Sequence, residues 1–210
     1  MGKEVYAIIK DRILSGAYES GEFINEKELA TELNVSRTPI RETLARLEWE
    51  KLVTIIPRAG AMVTTAELNA VKEAYQVRYV LEGELGRRAA ERATPAQTQE
   101  LEAIKRRCQA LVETGTQDDL NAISREYRAV LGNAASNKTL FEMSELLFNV
   151  SVRVWQSIPE KDGHAELAAA QIAEIDSMIS AFMANDPDAA QRAMQDAIGY
   201  YTDKLKKLFQ

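Results

Sequence analysis

Val35-Ser36-Arg37-Thr38-Pro39-Ile40-Arg41-Glu42-Thr43-Leu44-Ala45-Arg46-Leu47-Glu48 is the stretch on which the reading of this chain turns. Ile40, Leu44 and Leu47 follow one another at four- and three-residue spacing, the period of a helix with one buried face. Ser36 stands where a capping residue belongs. Pro39 is tolerated in the first turn because the N–H groups there have no intrahelical acceptor. Arg37 and Arg41, four apart, point elsewhere together with Thr38. Working backward, Asn25 is expected to cap a preceding helix, with Glu28 completing a capping box. Leu29, Ala30 and Leu33 form its apolar side, and it ends near Asn34. Earlier still, Val5, Ile8, Ile9, Ile13 and Leu14 repeat at helical spacing up to Gly16, and a turn is expected around Glu19-Ser20-Gly21. Working forward, the period changes. Leu52-Val53-Thr54-Ile55-Ile56 and Ala61-Met62-Val63-Thr64-Thr65 are β-prone runs separated by Pro57-Arg58-Ala59-Gly60, a hairpin with Arg58 near its tip. Three helices followed by a hairpin make a winged helix-turn-helix over residues 1–66.

From residue 67 to 210 no strand signal remains. Helices are expected over 67–92, 95–114, 117–133, 138–157, 164–184 and 187–208, with Thr94-Pro95 and Asp186-Pro187 as cap-plus-proline starts and Thr116 and Asn137 as further caps. The expected class is therefore mainly α: a winged helix-turn-helix followed, after a short join near Thr65-Ala66, by an all-α antiparallel bundle.

Composition narrows the function without deciding it. Among 210 residues the net charge is −6. Residues 1–66 hold nine Lys/Arg against ten Asp/Glu, so the surplus acid lies mostly in the bundle. Phosphate binding depends on where cations cluster rather than on the total. No apolar run is expected to reach the length of a membrane span, no signal peptide is read at the N-terminus, and a cytoplasmic protein without membrane partners is expected. The single cysteine, Cys108, excludes an internal disulfide and reads as a buried structural thiol. The chain offers no Gly-rich phosphate loop and no Ser-His or Cys-His set, so an enzyme is not expected, and neither is a cofactor.

The string 35–48, with Gly16 and Gly21 before it and Pro57-Arg58-Ala59-Gly60 and Val63 after it, resembles the GntR family of transcription regulators. The helical part is similar to the FCD effector domain of the FadR subfamily, in its six-helix, VanR-like branch. That likeness rests on Arg78 with Glu82, Asn137 and the stretch 181–190 containing Asp186. Two turn positions depart from the family: Lys51 replaces a usual glycine and Ser20 a common proline.

The resemblance implies an effector-responsive, homodimeric regulator, a repressor of a metabolic operon, that binds double-stranded operator DNA. The alternative is a constitutive DNA-binding regulator with a vestigial pocket. Carried over by position, Arg37 and Arg41 would read base edges from the major groove. Ser36 and Thr38 would hold phosphates, Lys27 and Arg46 would add phosphate contacts, and Arg58 with Gly60 would form the wing contact.

Many FCD domains hold a metal through one Asp and three His. The corresponding positions here are Ser124, Arg128, Ile175 and Ala197, and the chain has one histidine, His164, so no metal site is expected. Arg128 with Arg78 would instead clamp a carboxylate or phosphate of a small effector such as an organic acid. Tyr127, Asn149 and Arg153 are further candidates for the cavity wall. The other reading of Arg128 is an ion pair with a Glu inside the bundle.

Overall fold

The computed structural model describes residues 2–65, 68–156 and 164–208. Helix α1 (Gly2–Leu14), strand β1 (Phe23–Asn25), helices α2 (Glu26–Glu32) and α3 (Arg37–Trp49), and strands β2 (Val53–Ile56) and β3 (Gly60–Val63) surround one core. The expected face of α3 is the one buried: Ile40, Leu44 and Leu47 pack with Ile9 and Ile13 of α1, Leu29 of α2 and Leu52. Asn25 caps α2, its side-chain oxygen accepting from the Lys27 and Glu28 N–H groups at 2.9 and 3.3 Å. Reciprocal capping boxes form instead at Thr94 with Gln97 and at Thr116 with Asp119.

The sheet has one strand more than the expected hairpin. Its order is β1-β3-β2, antiparallel throughout, with Ile24 opposite Ala61 and Val53 opposite Val63. Strand β1 is three residues long and buries only Ile24, too little for a two-residue period to show. Its crossing constrains Gly60, whose φ is +156° and whose added Cβ would run into the Ile24 carbonyl oxygen. The glycine of the wing is therefore required by packing, whatever else it does.

The remaining helices are α4 (Leu68–Arg92), α5 (Pro95–Ala110), α6 (Gln117–Ala135), α7 (Lys138–Gln156), α8 (His164–Ala184) and α9 (Pro187–Leu208), which build a second core. Helix α5 stops at Ala110, short of the expected 114, while the expected ends at 67 and 157 fall outside the described residues. Helix α4, about 37 Å long at 1.5 Å per residue, packs against α6, α7 and α9. Its buried stripe runs Val71, Tyr75, Arg78, Glu82, Leu85, Ala89, at four- and three-residue steps, so two charged side chains occupy positions of core phase.

Helix α8, 21 residues, is long and apolar enough to cross a membrane by length and composition alone. Its Leu167, Ala168, Ile175, Met178 and Phe182 are instead packed in the bundle core. His164 ties its start to the end of α5, with Nε2 2.8 Å from the Leu111 carbonyl oxygen. Cys108 is fully buried, its Sγ directed at the Ala168 carbonyl oxygen, and burial pushes its thiol up to about 11.

Lys51, at the turn between α3 and β2, adopts φ +62°, a left-handed conformation that costs a residue with a Cβ about 1 kcal/mol. Lys51→Gly is expected to stabilise the protein by up to about 1 kcal/mol, a rise of roughly 2–4 °C in melting temperature for a chain of this size. Thermal unfolding checks this; a drop would show that the Lys51 side chain contributes more than its backbone costs.

Candidate DNA interface and effector cavity

At the start of α3, Ser36, Arg37, Thr38 and Arg41 are all exposed. Ser36 occupies the N-cap position with extended backbone and makes no capping bond through its side chain. The two arginines are not loose. Arg37 Nη2 and Arg41 Nε both donate to Glu26 Oε2 at 2.8 Å, while their side chains stay 53% and 58% exposed. Desolvation alone would raise the Glu26 carboxyl, but the hydrogen bonds from Arg37 and Arg41 hold it below the usual range. One carboxylate at the start of α2 thus aligns two guanidiniums that project from the start of α3.

Lys27 is exposed one residue further along α2, and Arg58, at φ +67°, is exposed in the turn between β2 and β3. Arg46 lies elsewhere. Its guanidinium sits 3.6 Å over the Tyr6 ring and its Nε donates to Glu50 at 3.2 Å. Glu50 also accepts from Tyr6 and Lys10, at 2.6 and 2.7 Å. This cluster pins α1 to the end of α3 and borders a groove shared with Glu145 and Asn149 of α7.

Inside the bundle a cavity of about 70 Å³ is lined from α4, α6, α7, α8 and α9. It brings together Arg78, Tyr127 and Arg128, and also Ser124 and Ala197; Ile175 points into the core. Among the described residues no group of three or more His, Cys, Asp or Glu is placed to hold a metal.

The pair of unopposed cations expected from Arg78 and Arg128 is not there. Arg128 Nη1 donates to both oxygens of Glu82 at 2.7 and 2.6 Å, its Nε to Glu145 at 2.6 Å and its Nη2 to Ser144 at 2.5 Å. Arg78 Nε donates to the same Glu82 at 2.9 Å. Glu82 has no exposure at all. Burial would drive its carboxyl upward, but the charges of Arg128 and Arg78 reverse that and keep it ionised below the ordinary range. The reading in which Arg128 pairs with a glutamate inside the bundle is the one the geometry follows.

Asn149 and Arg153 do not reach this cavity. Helix α7 turns Phe148, Ser151, Val152 and Trp155 toward it, and residues 149 and 153 lie about 100° around the helix from 148 and 152. Arg153 instead donates to Thr64 Oγ1, just past β3, and at 3.5 Å to Ser20 Oγ. It is buried, pairs with no carboxylate among the described residues, and desolvation brings its pKa down to about 10. On α6, Arg125 makes a parallel contact, donating to the Leu14 carbonyl oxygen at 3.3 Å.

Gln117 and Asn121 line the cavity without having been expected to. With Ser124 and Arg128 they form a polar stripe at four-, three- and four-residue steps on the inner face of α6, a legible signal beside the apolar Leu120 and Ile123. Ser124 Oγ donates to Gln171 Oε1 at 2.6 Å, linking α6 to α8. Glu174, one turn beyond Gln171, has its carboxyl pushed up to about 7, first by burial and then by the charge of Glu82.

In the unfolded chain a glutamate ionises near 4.5, so between that pH and about 7 the folded protein holds a proton that the unfolded chain has lost. Stability present below pH 4.5 is lost as pH rises through the folded value. Glu174→Gln is expected to leave the melting temperature at pH 5 nearly unchanged and to raise it by a few degrees at pH 8. A wild-type pH slope in the variant would assign the decline to other groups.

Residues 1–63 match bacterial regulatory proteins of the gntR family, and residues 73–199 match the FCD domain. The chain is 25% identical over 210 residues to the HTH-type transcriptional repressor RspR of Escherichia coli K12, covering all of this chain and 91% of that protein. It is 42% identical over 81 residues to the gluconate operon transcriptional repressor of Bacillus licheniformis, covering 39% of this chain and 33% of the repressor. In fold it resembles E. coli McbR/YncC, with a TM-score of 0.88 at 23% identity over 100% of this chain and 98% of the other. Helical bundle and winged helix together place the chain in the GntR family of bacterial transcription regulators, in the group that carries an FCD effector domain.

Proposed function

We propose that this regulator is a homodimeric, effector-responsive repressor of a metabolic operon, with residues 1–66 as its DNA-reading domain and residues 67–210 as its effector-binding and dimerisation domain. The observation that carries the DNA half is the Glu26-aligned pair Arg37 and Arg41, exposed at the start of α3. A guanidinium fork matches guanine O6 and N7, and fixing it before contact lowers the ordering cost. Ser36, Thr38 and Lys27 then meet phosphates and the Arg58–Gly60 turn approaches the minor groove, while Arg46, held over Tyr6 and by Glu50, serves the contact of α1 with α3 instead. Named repressors among the relatives favour repression, and the gluconate operon repressor favours a metabolic target. Val77, Tyr79 and Val80 on α4, 49%, 44% and 63% exposed, offer an apolar surface for a second copy, and two-fold symmetry suits a palindromic operator.

Helices α6 and α7 each carry cavity residues on one side and an arginine holding the N-terminal part on the other. Ser124 and Arg128 flank Arg125; Val152 and Trp155 flank Arg153. An effector that shifts either helix therefore shifts the placement of α3, which is what linkage between the two sites requires.

Fluorescence anisotropy on a selected palindromic site tests the DNA reading. Arg41→Ala is expected to weaken operator binding by about 1–3 kcal/mol and to relax discrimination at one base pair per half-site. Equal loss on operator and random DNA would reassign Arg41 to a phosphate. The coupling is tested with Trp49, exposed at the end of α3, and Trp155, buried in the bundle, by using Trp155→Phe and Trp49→Phe to isolate each signal. The two melting curves are expected to coincide in the parent protein and to separate by several degrees once Arg153→Met removes the Thr64 contact. Coincident curves in the variant would place the coupling elsewhere.

A further inference from the structure

We infer that the cavity takes a small uncharged molecule bearing an oxygen acceptor and a hydrogen-bond donor, such as a lactam or an amide, rather than an organic acid. The inference rests on the reading of this cavity as the effector site and adds the ligand's charge and polarity. Charge is the first argument. Arg78 and Arg128 are matched by Glu82 and Glu145, and Arg128 spends Nε, Nη1 and Nη2 on Glu145, Glu82 and Ser144. With Glu145, which meets Arg128 from the outer groove, the network sums to zero while Glu174 is protonated and to one negative charge once it ionises. An anion therefore meets guanidiniums whose charge is already matched by carboxylates, and adds net charge where solvent cannot spread it.

The second argument is a donor left over. Asn121, 5% exposed, lines the cavity, and its Oδ1 accepts from Gln117 Nε2 at 3.3 Å. Its Nδ2 is the one buried side-chain polar atom without a hydrogen-bond partner among the described residues. A buried donor without an acceptor is costly, so a ligand oxygen that meets it gains that energy on binding. Glu174 also lines the cavity and offers a carboxyl, while Phe148, Trp155 and Met194 supply apolar wall.

Access and size agree. Glu174 and Ala197 line both this cavity and an outer groove between α8 and α9, walled largely by alanines. A water needs about 10–15 Å³ on this measure, so about 70 Å³ admits a ligand of roughly five to seven non-hydrogen atoms.

The test uses the full-length protein and three probes of similar size at fixed ionic strength: 2-pyrrolidinone, butyrate and pyrrolidinium. The lactam carbonyl would accept from Asn121 Nδ2 while its N–H donates to Glu174. The expected result at pH 5.5, where Glu174 keeps its proton and offers a cation no counter-charge, is a rise in melting temperature with millimolar 2-pyrrolidinone and none with the two ions. Asn121→Leu should lose at least tenfold in calorimetric lactam affinity while its ligand-free form binds operator DNA as the parent does. If the leucine variant does not fold, Asn121→Ala removes the same donor and serves in its place. Butyrate or pyrrolidinium stabilising as well as the lactam would overturn the proposal. So would no shift with 2-pyrrolidinone, or a full lactam response in the Asn121 variant. A parent protein that fails to bind any operator would instead overturn the regulator reading, a separate outcome.

Discussion

The Glu82 carboxylate, wholly withdrawn from solvent, binds two guanidiniums from two helices, and the organisation of the bundle depends on it. Desolvating three charged groups is expensive, and the arrangement persists because each charge meets an opposite one with good hydrogen-bond geometry. Losing one partner of such a set costs about 3–5 kcal/mol, a large share of the roughly 5–15 kcal/mol by which domains are stable. Arg78 and Glu82 ride the buried stripe of the longest helix, so α4 and α6 can assemble in only one register. Glu145, on α7, extends the network to the groove beside the N-terminal core. The cavity is thus formed around a fixed ionic centre, and its remaining polarity is set by residues outside that centre.

Much of this was legible in the residues. The stripe from Val71 to Ala89, the caps at Thr94, Thr116 and Asn137, and the spacing of Ile40, Leu44 and Leu47 are local signals, and local signals carry the helices. Three features were not legible, each for a physical reason. Strand β1 is stabilised by pairing with β3 rather than by any pattern of its own. The orientation of α7 depends on which face meets the N-terminal core, and one residue of phase separates Asn149 and Arg153 from the cavity. That Arg128 meets Glu82, 46 positions away, is a tertiary fact. The polar stripe on α6 was visible and is the signal that would have pointed to Asn121.

Among the described residues, the junction between the two cores is made by arginines donating to a backbone carbonyl and to hydroxyls rather than by ion pairs. Arg125 takes the carbonyl that ends α1, and Arg153 takes Thr64 and Ser20. Neutral acceptors hold a cation less firmly than carboxylates do. Among the described residues the Arg153 charge is kept out of water by packing, without a counter-ion to lock it there. A contact of this kind is strong enough to orient one part against another and weak enough to be reset by a few kcal/mol, the scale on which ligands shift populations.

Cys108 has a consequence of another kind. A thiol sealed between α5 and α8, and held in the protonated form far above neutral pH, presents almost no thiolate to an oxidant or an alkylating reagent. Oxidative stress therefore has no handle on this regulator through its only cysteine. The same residue is a natural clock, because a thiol reagent can label it only as often as the α5–α8 seam opens. The speed of that labelling measures how frequently the bundle breathes.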